Sequence, residues 1–397
     1  MVKDKKVIFL TGATGYIGSS LIPKFLEHGY RIKALIRPKK ENSEDRLLQS
    51  LKRVYKNSTD LSRAIKEIDI LEGDIVEKNF GLSKNIIKSL SQEVTDLFHC
   101  AAAVSFNENK KDILEAHNID GTENLMLFAR SFHNVHVHYM STAYVCGQRK
   151  SIIKEGELNV GQKFNNIYEN IKCTAEELAQ NHAKRYGMKI TIYRPSVIVG
   201  DSKTGENYSN YGPYGILRIE DISIRKLRKE FEKQNPFFQN SGAKIKNGKF
   251  FIPLRVKGNN NKKLNLVTSD YALEAIFQIF ISKENIGRTF HITNSNPPKV
   301  KLLKDCISEL LDVDGIEFVG LSEFKKEPMK AWEKIFDKNI RIYTPYLLID
   351  EPKFDDSNTK QVVRHAKLEQ PYFDKDLIMK LLEYSRVTDY GKKMKIR

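Results

Sequence analysis

The apolar run Val7-Ile-Phe-Leu10 leading into Thr11-Gly-Ala-Thr-Gly-Tyr-Ile-Gly18 constrains this chain more than any other feature. It reads as a strand, a glycine-spaced loop and the start of a helix. Gly12 permits the tight turn, Gly15 lets backbone approach a pyrophosphate, and Gly18 allows close packing of helix on sheet. The helix start then offers unpaired N–H groups to phosphate. Alone, such a loop can be a plain structural turn. With its strand and helix in place it predicts a dinucleotide site at Thr11, Gly12, Thr14, Gly15, Tyr16, Ile17 and Gly18.

Short apolar runs alternate with helical patterns through the first half of the chain, which indicates βαβ units. Strands are expected at 7–10, 32–36, 68–71, 97–100, 135–140 and 189–193, with helices at 16–28, 112–132 and 166–186. The expected fold is α/β, a Rossmann-type doubly wound parallel sheet with a smaller mixed C-terminal substrate lobe. Residues 1–200 form the NAD(P)-binding domain, to which 264–295 return, and 201–263 with 296–397 form the lobe. Helices are expected there at 219–234, 301–311, 323–336 and 375–386, and Gly29 and Gly187 fit helix-ending positions.

At 397 residues the chain has room for both parts. It has no apolar run long enough to span a bilayer. Its start, Met1-Val-Lys-Asp-Lys-Lys6, lacks the core of a signal peptide. Cys100, Cys146, Cys173 and Cys306 are scattered without paired spacing, which suits a reducing cytoplasm. A net charge of +16 either spreads over solvated faces or attracts an anionic partner. No compact basic–aromatic stretch points to nucleic acid.

Tyr168 and Lys172 stand four apart in a helical segment, so the ammonium can lie beneath the phenol. A neighbouring cation lowers a phenol's pKa, and this spacing predicts an acid–base Tyr168 near neutral pH. Ser141-Thr142 closes the fifth strand, where a hydroxyl can orient a substrate carbonyl or simply cap the strand. Asn118 can steady a helix and a water near Lys172, or be structural.

The second strand ends in Ile36-Arg37-Pro38 with no acidic residue for ribose hydroxyls. Arg37 therefore favours NADPH through bonds to a 2′-phosphate, with NADH as the alternative if Arg37 is a plain surface residue. Asp74, with Ile75, follows the third strand and either accepts from an adenine amino group or caps a turn. Ala101 and Ala102 leave room for cofactor beyond the fourth strand, or serve packing. Pro195 and Val197 back the nicotinamide. His136 and His138 share a strand face, yet no acidic or cysteine partner is spaced to complete a metal site, and no metal is expected.

Together these residues resemble the extended short-chain dehydrogenase/reductase family. Phe98-His-Cys-Ala-Ala-Ala-Val-Ser-Phe106, Asn118-x-x-Gly-Thr-x-Asn-Leu125, Met140-Ser-Thr-Ala-Tyr-Val145 and Tyr193-Arg-Pro-Ser-Val-Ile-Val-Gly200 narrow the likeness. So do Asn265-Leu-Val-Thr-Ser-Asp270, Phe290-His-Ile-Thr-Asn294 and, more weakly, Phe354-Asp-Asp-Ser-Asn-Thr359. They are similar to the fatty acyl-CoA reductase (male-sterility) and thioester reductase branch. The resemblance implies an NADPH-dependent oxidoreductase that takes an acyl-CoA or acyl-carrier-protein thioester to aldehyde or alcohol. It implies Thr142, Tyr168, Lys172 and Asn118 as catalytic residues, and a homodimer. The chain departs from the branch in showing neither carrier and adenylation domains nor a terminal hydrophobic anchor. Residues 208–214 and the helix at 219–234 are candidates for an acyl-channel wall, or a surface insertion. The alternative enzyme is an oxidoreductase, epimerase or dehydratase acting on a nucleotide-sugar or sterol-like alcohol. A cofactor-sensing protein without chemistry is a third reading, which the Tyr/Lys pair opposes.

Overall fold

Seven strands pair in parallel in the computed structural model: β1 (Val7–Thr11), β2 (Arg31–Ile36), β3 (Ile68–Glu72), β4 (Val94–His99), β5 (His136–Met140), β6 (Lys189–Pro195) and a seventh at Thr289–Ile292. The structure describes residues 6–390 apart from 210, 239 and 240 and the side chain of Phe237. The first five residues, read above for a leader, and Asn210 of the channel-wall stretch lie outside the described residues.

Across the sheet the order is seventh strand, β6, β5, β4, β1, β2, β3. Chain direction across the sheet reverses at β1, which has β2 on one side and β4 on the other. Ligands of such sheets bind beyond the carboxyl ends of the strands at that point. Every residue of β1 is buried, because helices cover both faces of a parallel sheet and an apolar run is what such a strand needs. The helix Tyr16–Glu27 follows the glycine loop and buries Leu21, Ile22 and Phe25 against the sheet. The helix Ile167–Tyr186 carries Tyr168 and Lys172 and ends, as expected, at Gly187 with φ +62°.

Three expectations change. The helix expected over 112–132 is interrupted by a π-turn at Ala116–Asp120, which contains the buried Asn118. The helix expected at 323–336 is two, Leu321–Phe324 and Ala331–Ile340, because Pro328 between them disfavours helical geometry in the residue before it. Residues 201–263 hold more order than expected: a long helix Pro213–Glu232, and the strands Lys244–Lys246 and Lys249–Lys257, which Val313–Val319 extends. In Lys249–Lys257 the alternate residues Phe250, Ile252, Leu254 and Val256 are all buried, a period-two pattern that marks one buried sheet face.

These elements build an apolar core for the second part of the chain, with Leu217, Phe250, Trp332, Phe336 and Leu381 among its members, apart from the two cores on the opposite faces of the main sheet. Between the two parts, Val197–Ile198 pairs with Leu266–Val267. The helix Ser357–His365 packs back on the seventh strand, where Asn358 Nδ2 donates to Thr289 O at 2.9 Å.

Candidate active site

The glycine loop is pressed against the end of β4. Gly12 has φ +74°, and a Cβ there would stand 2.7 Å from the Ala101 nitrogen. A Cβ on Gly18 would stand 2.2 Å from Gly12 O, so both positions exclude a side chain. Thr11 Oγ1 accepts from Ala101 N at 3.3 Å and lies 2.9 Å from His99 Nδ1, locking loop to strand. Gly15 begins the helix with no side-chain cap, and no acidic residue sits in the first turn. Orphan N–H groups without a carboxylate nearby fit a pyrophosphate. Thr14 turns its carbonyl to Ser50 Oγ at 3.2 Å.

At the far end, Arg37 Nε lies 3.9 Å from Asp74 Oδ2, and Arg37 Nη1 donates to His117 Nε2 at 2.7 Å. His117 Nδ1 donates to Ile113 O at 2.9 Å, which leaves Nε2 as the acceptor. Ile75 faces Gly121, whose Cβ would stand 3.1 Å from Ile75 Cδ1. Arg37, Asp74, Ile75, Thr11, Thr14, Ala101 and Asn118 do not line the cavity described next. His117 was not anticipated from sequence.

One cavity of about 490 Å³ joins Gly12, Gly15, Tyr16, Ile17, Gly18 and Ala102 to Ser141, Thr142, Tyr168, Lys172, Pro195 and Val197. Lys172 Nζ donates to Met140 O at 3.0 Å and to the Tyr139 hydroxyl at 3.4 Å. Thr122 Oγ1 donates to Asn118 O at 2.6 Å, so the Tyr139 hydroxyl, 3.0 Å away, donates to Thr122 and accepts from Lys172. Asn118 thus reaches Lys172 through its backbone carbonyl and two side chains. Its own amide clamps Ala103, accepting from N and donating to O, each at 3.0 Å. Through that amide Asn118 fixes the loop after β4 to its helix.

The expected depression of the Tyr168 pKa is also corrected. Burial raises the phenol above its ordinary value, and the Lys172 ammonium offsets this only in part. Burial likewise holds Lys172 below its ordinary value, against the pull of Tyr168 and Glu176. Tyr168 is therefore a protonated phenol at neutral pH, suited to donating.

Thr142 Oγ1 caps the turn Ala143–Cys146, accepting from Tyr144 N at 3.3 Å and donating to Pro195 O at 3.4 Å. Both bonds are long and can yield to a substrate oxygen. Ser141 Oγ donates to Glu176, which is paired with Arg194 through Nε at 3.0 and 3.1 Å, both residues being fully buried. Arg194 further donates to Glu157 O at 2.8 Å. Sequence reasoning missed this pair, whose only signal was Glu176 four residues after Lys172.

Aromatic rings form the substrate side. Phe106 lies 6.2 Å from Tyr168, 6.1 Å from Tyr343 and 5.8 Å from Tyr346, between ring centroids. Of the stretch 208–214, Tyr208, Ser209, Tyr211 and Gly212 line the cavity. Tyr214 does not; its hydroxyl is buried and accepts from Gly200 N at 2.8 Å. No residue of 219–234 lines the cavity either, because that part of the helix faces the apolar core of the second part of the chain.

His136 and His138 do have an acidic neighbour, since the β4–β5 register sets Asp96 opposite His136. His138 Nε2 lies 3.2 Å from Asp96 Oδ1 and Nδ1 lies 2.8 Å from the Tyr193 hydroxyl, so both its ring nitrogens are engaged. The group lies toward the amino ends of the strands, away from the cavity.

A glycine loop facing Thr142, Tyr168 and Lys172 across one cavity of a doubly wound sheet defines an extended short-chain dehydrogenase/reductase. Residues 10–235, more than half the chain, match the model of the male sterility protein NAD-binding family, and the chain belongs to that family. Among curated relatives, a nonribosomal peptide synthetase of Aspergillus flavus, asaC, is 23% identical over 90% of this chain and 32% of its own length. Fatty acyl-CoA reductase 1 of Gallus gallus is 30% identical over 38% of this chain and 30% of its own. The chain thus spans about a third of the length of either relative. The terminal R domain of the myxalamid PKS-NRPS pathway shares the fold, with a TM-score of 0.77 and 22% identity over 99% of this chain and 93% of that one.

Proposed function

We propose that the protein reduces an acyl thioester, carried on coenzyme A or a carrier protein, with NADPH. The observation that supports this most is the single cavity joining the glycine loop to Thr142, Tyr168 and Lys172. Gly12, Gly15, Gly18 and the uncapped helix start would hold the pyrophosphate, Arg37 a 2′-phosphate, and Pro195 with Val197 would back the nicotinamide, which when bound supplies hydride. Thr142 and Tyr168 hold the thioester carbonyl oxygen. As charge develops on that oxygen, Tyr168 gives it the phenolic proton, and Lys172 stabilises the phenolate left behind. The resulting hemithioacetal expels its thiol to leave an aldehyde, and a second reduction gives the alcohol.

Tyr168→Phe tests the reading. The variant is expected to bind NADPH like the parent and to lose about 10²–10⁴-fold in thioester turnover. Retention of turnover with NADPH bound overturns the role of Tyr168 and with it the reading.

A further inference from the structure

The substrate side of the cavity holds a carboxylate that lacks a cation. Glu169 lines the cavity and is fully buried. Its oxygens accept from Asn165 N at 2.9 Å, Asn165 Nδ2 at 3.2 Å and the Tyr346 hydroxyl at 2.6 Å. That hydroxyl itself accepts from Asn166 Nδ2 at 2.6 Å, so its own proton points at Glu169. Three donors converge on the group and none of its partners needs a proton from it, which is the environment of an ionised carboxylate. Burial alone pushes its pKa above the ordinary carboxylate value, and the Tyr346 and Asn165 donors pull it back only in part. A cation in the cavity would complete what those donors begin.

Among the described residues no lysine, arginine or histidine forms an ion pair with Glu169. Lys172, three residues on, spends its ammonium on Met140 and Tyr139 instead. A second carboxyl group stands behind the same wall: Glu351 accepts from the Tyr144 hydroxyl at 3.0 Å, and the Tyr144 ring is 5.7 Å from Tyr346. Buried charges are ordinarily paired. The rings of Phe106, Tyr168, Tyr343 and Tyr346 surround the same space, and aromatic faces attract cations within about 6 Å. An independent sign of a polar ligand is Ser196, which lines the cavity at 7% exposure and whose Oγ has no partner among the described residues.

We propose that this cavity recognises an acyl group bearing a protonated amine, with Glu169 as its counter-ion and the aromatic rings as its walls. This rests on the thioester reductase reading and narrows it: the substrate is an aminoacyl thioester rather than a plain fatty acyl one. A simple fatty chain would leave the carboxylate without a counter-charge and the serine hydroxyl without a partner.

The test uses the full chain loaded with NADPH and three ligands. Calorimetry compares non-reducible amide analogues of L-alanyl- and propionyl-pantetheine, which differ in the amine, with the β-alanyl analogue as a second amine position. At least one amine-bearing analogue is expected to bind tenfold or more tightly than the propionyl one, and in Glu169→Gln that ratio should fall to near one. Should Glu169→Gln not fold, Tyr346→Phe, which removes the hydroxyl that orients the carboxylate, should cut the ratio several-fold. Equal binding of the three analogues by the parent, or an unchanged ratio in the variants, overturns the inference. NADPH oxidation with the corresponding thioesters separates the two claims. Amine-selective binding without turnover sinks the reductase reading alone, and turnover without amine preference sinks only the narrower one.

Discussion

Lys172 Nζ and the Tyr139 hydroxyl stand 3.4 Å apart, with the ammonium also 4.8 Å from the Tyr139 ring centroid. The buried lysine depends on this contact and on Met140 O to stay charged. Tyr139→Phe keeps the ring but removes the acceptor, and a hydrogen bond to a charged group is worth about 1.5–3 kcal/mol. Less support for the charged form lowers the Lys172 pKa further. Turnover is expected to drop about tenfold, and the alkaline limb of its pH profile to move to lower pH. A profile unchanged in shape would make Tyr139 a packing residue.

On the proposed reading, Arg37 sets the choice of nicotinamide. Arg37→Ala is expected to weaken NADPH about 10–100-fold, the loss of one or two charge-assisted bonds, while NADH use stays within a factor of two. Measured as the ratio of kcat/KM for the two cofactors, an unaltered preference would reduce Arg37 to a neighbour of Asp74.

Glu176 and Arg194 form a buried pair behind Ser141. Removing one partner strands the other charge, at a cost of about 3–5 kcal/mol. Glu176→Gln should therefore lower the urea midpoint sharply. A loss below about 1 kcal/mol would mean that Arg194 is satisfied by the Glu155 and Glu157 carbonyls alone.

Glu220 sets a pH dependence of stability. It is buried on the helix Pro213–Glu232, neither oxygen has a hydrogen-bond partner among the described residues, and burial raises its pKa to about 8. The folded protein thus holds this proton more tightly than the unfolded chain, whose value is 4.5. The associated stability is fully present below the unfolded value and is lost as pH rises through the folded one. Urea unfolding at pH 5 and pH 9 should show Glu220→Gln losing less stability across that interval than the parent. The same slope in both proteins contradicts a neutral Glu220.

Much of the fold and half of the site were legible because they are local. The glycine loop, the Tyr168–Lys172 spacing and the strand ends at Ser141-Thr142 each follow from residue type over a few positions. The rest is tertiary. Glu169 meets Tyr346 across 177 residues and Arg194 meets Glu176 from a neighbouring strand, so no spacing announces either contact. The Tyr168 pKa was misjudged because burial depends on what covers the phenol, whereas the sequence displays only the lysine. The strand Lys249–Lys257 alternates buried and half-buried residues, whereas the only element expected within 201–263 is the helix at 219–234.

The most direct test of the account is thiol release measured alongside NADPH oxidation across a panel of acyl and aminoacyl thioesters. Every thiol freed is expected to be matched by at least one NADPH consumed, one for an aldehyde product and two for an alcohol. NADPH oxidation with ketones or nucleotide-sugars, and none with any thioester, would contradict it.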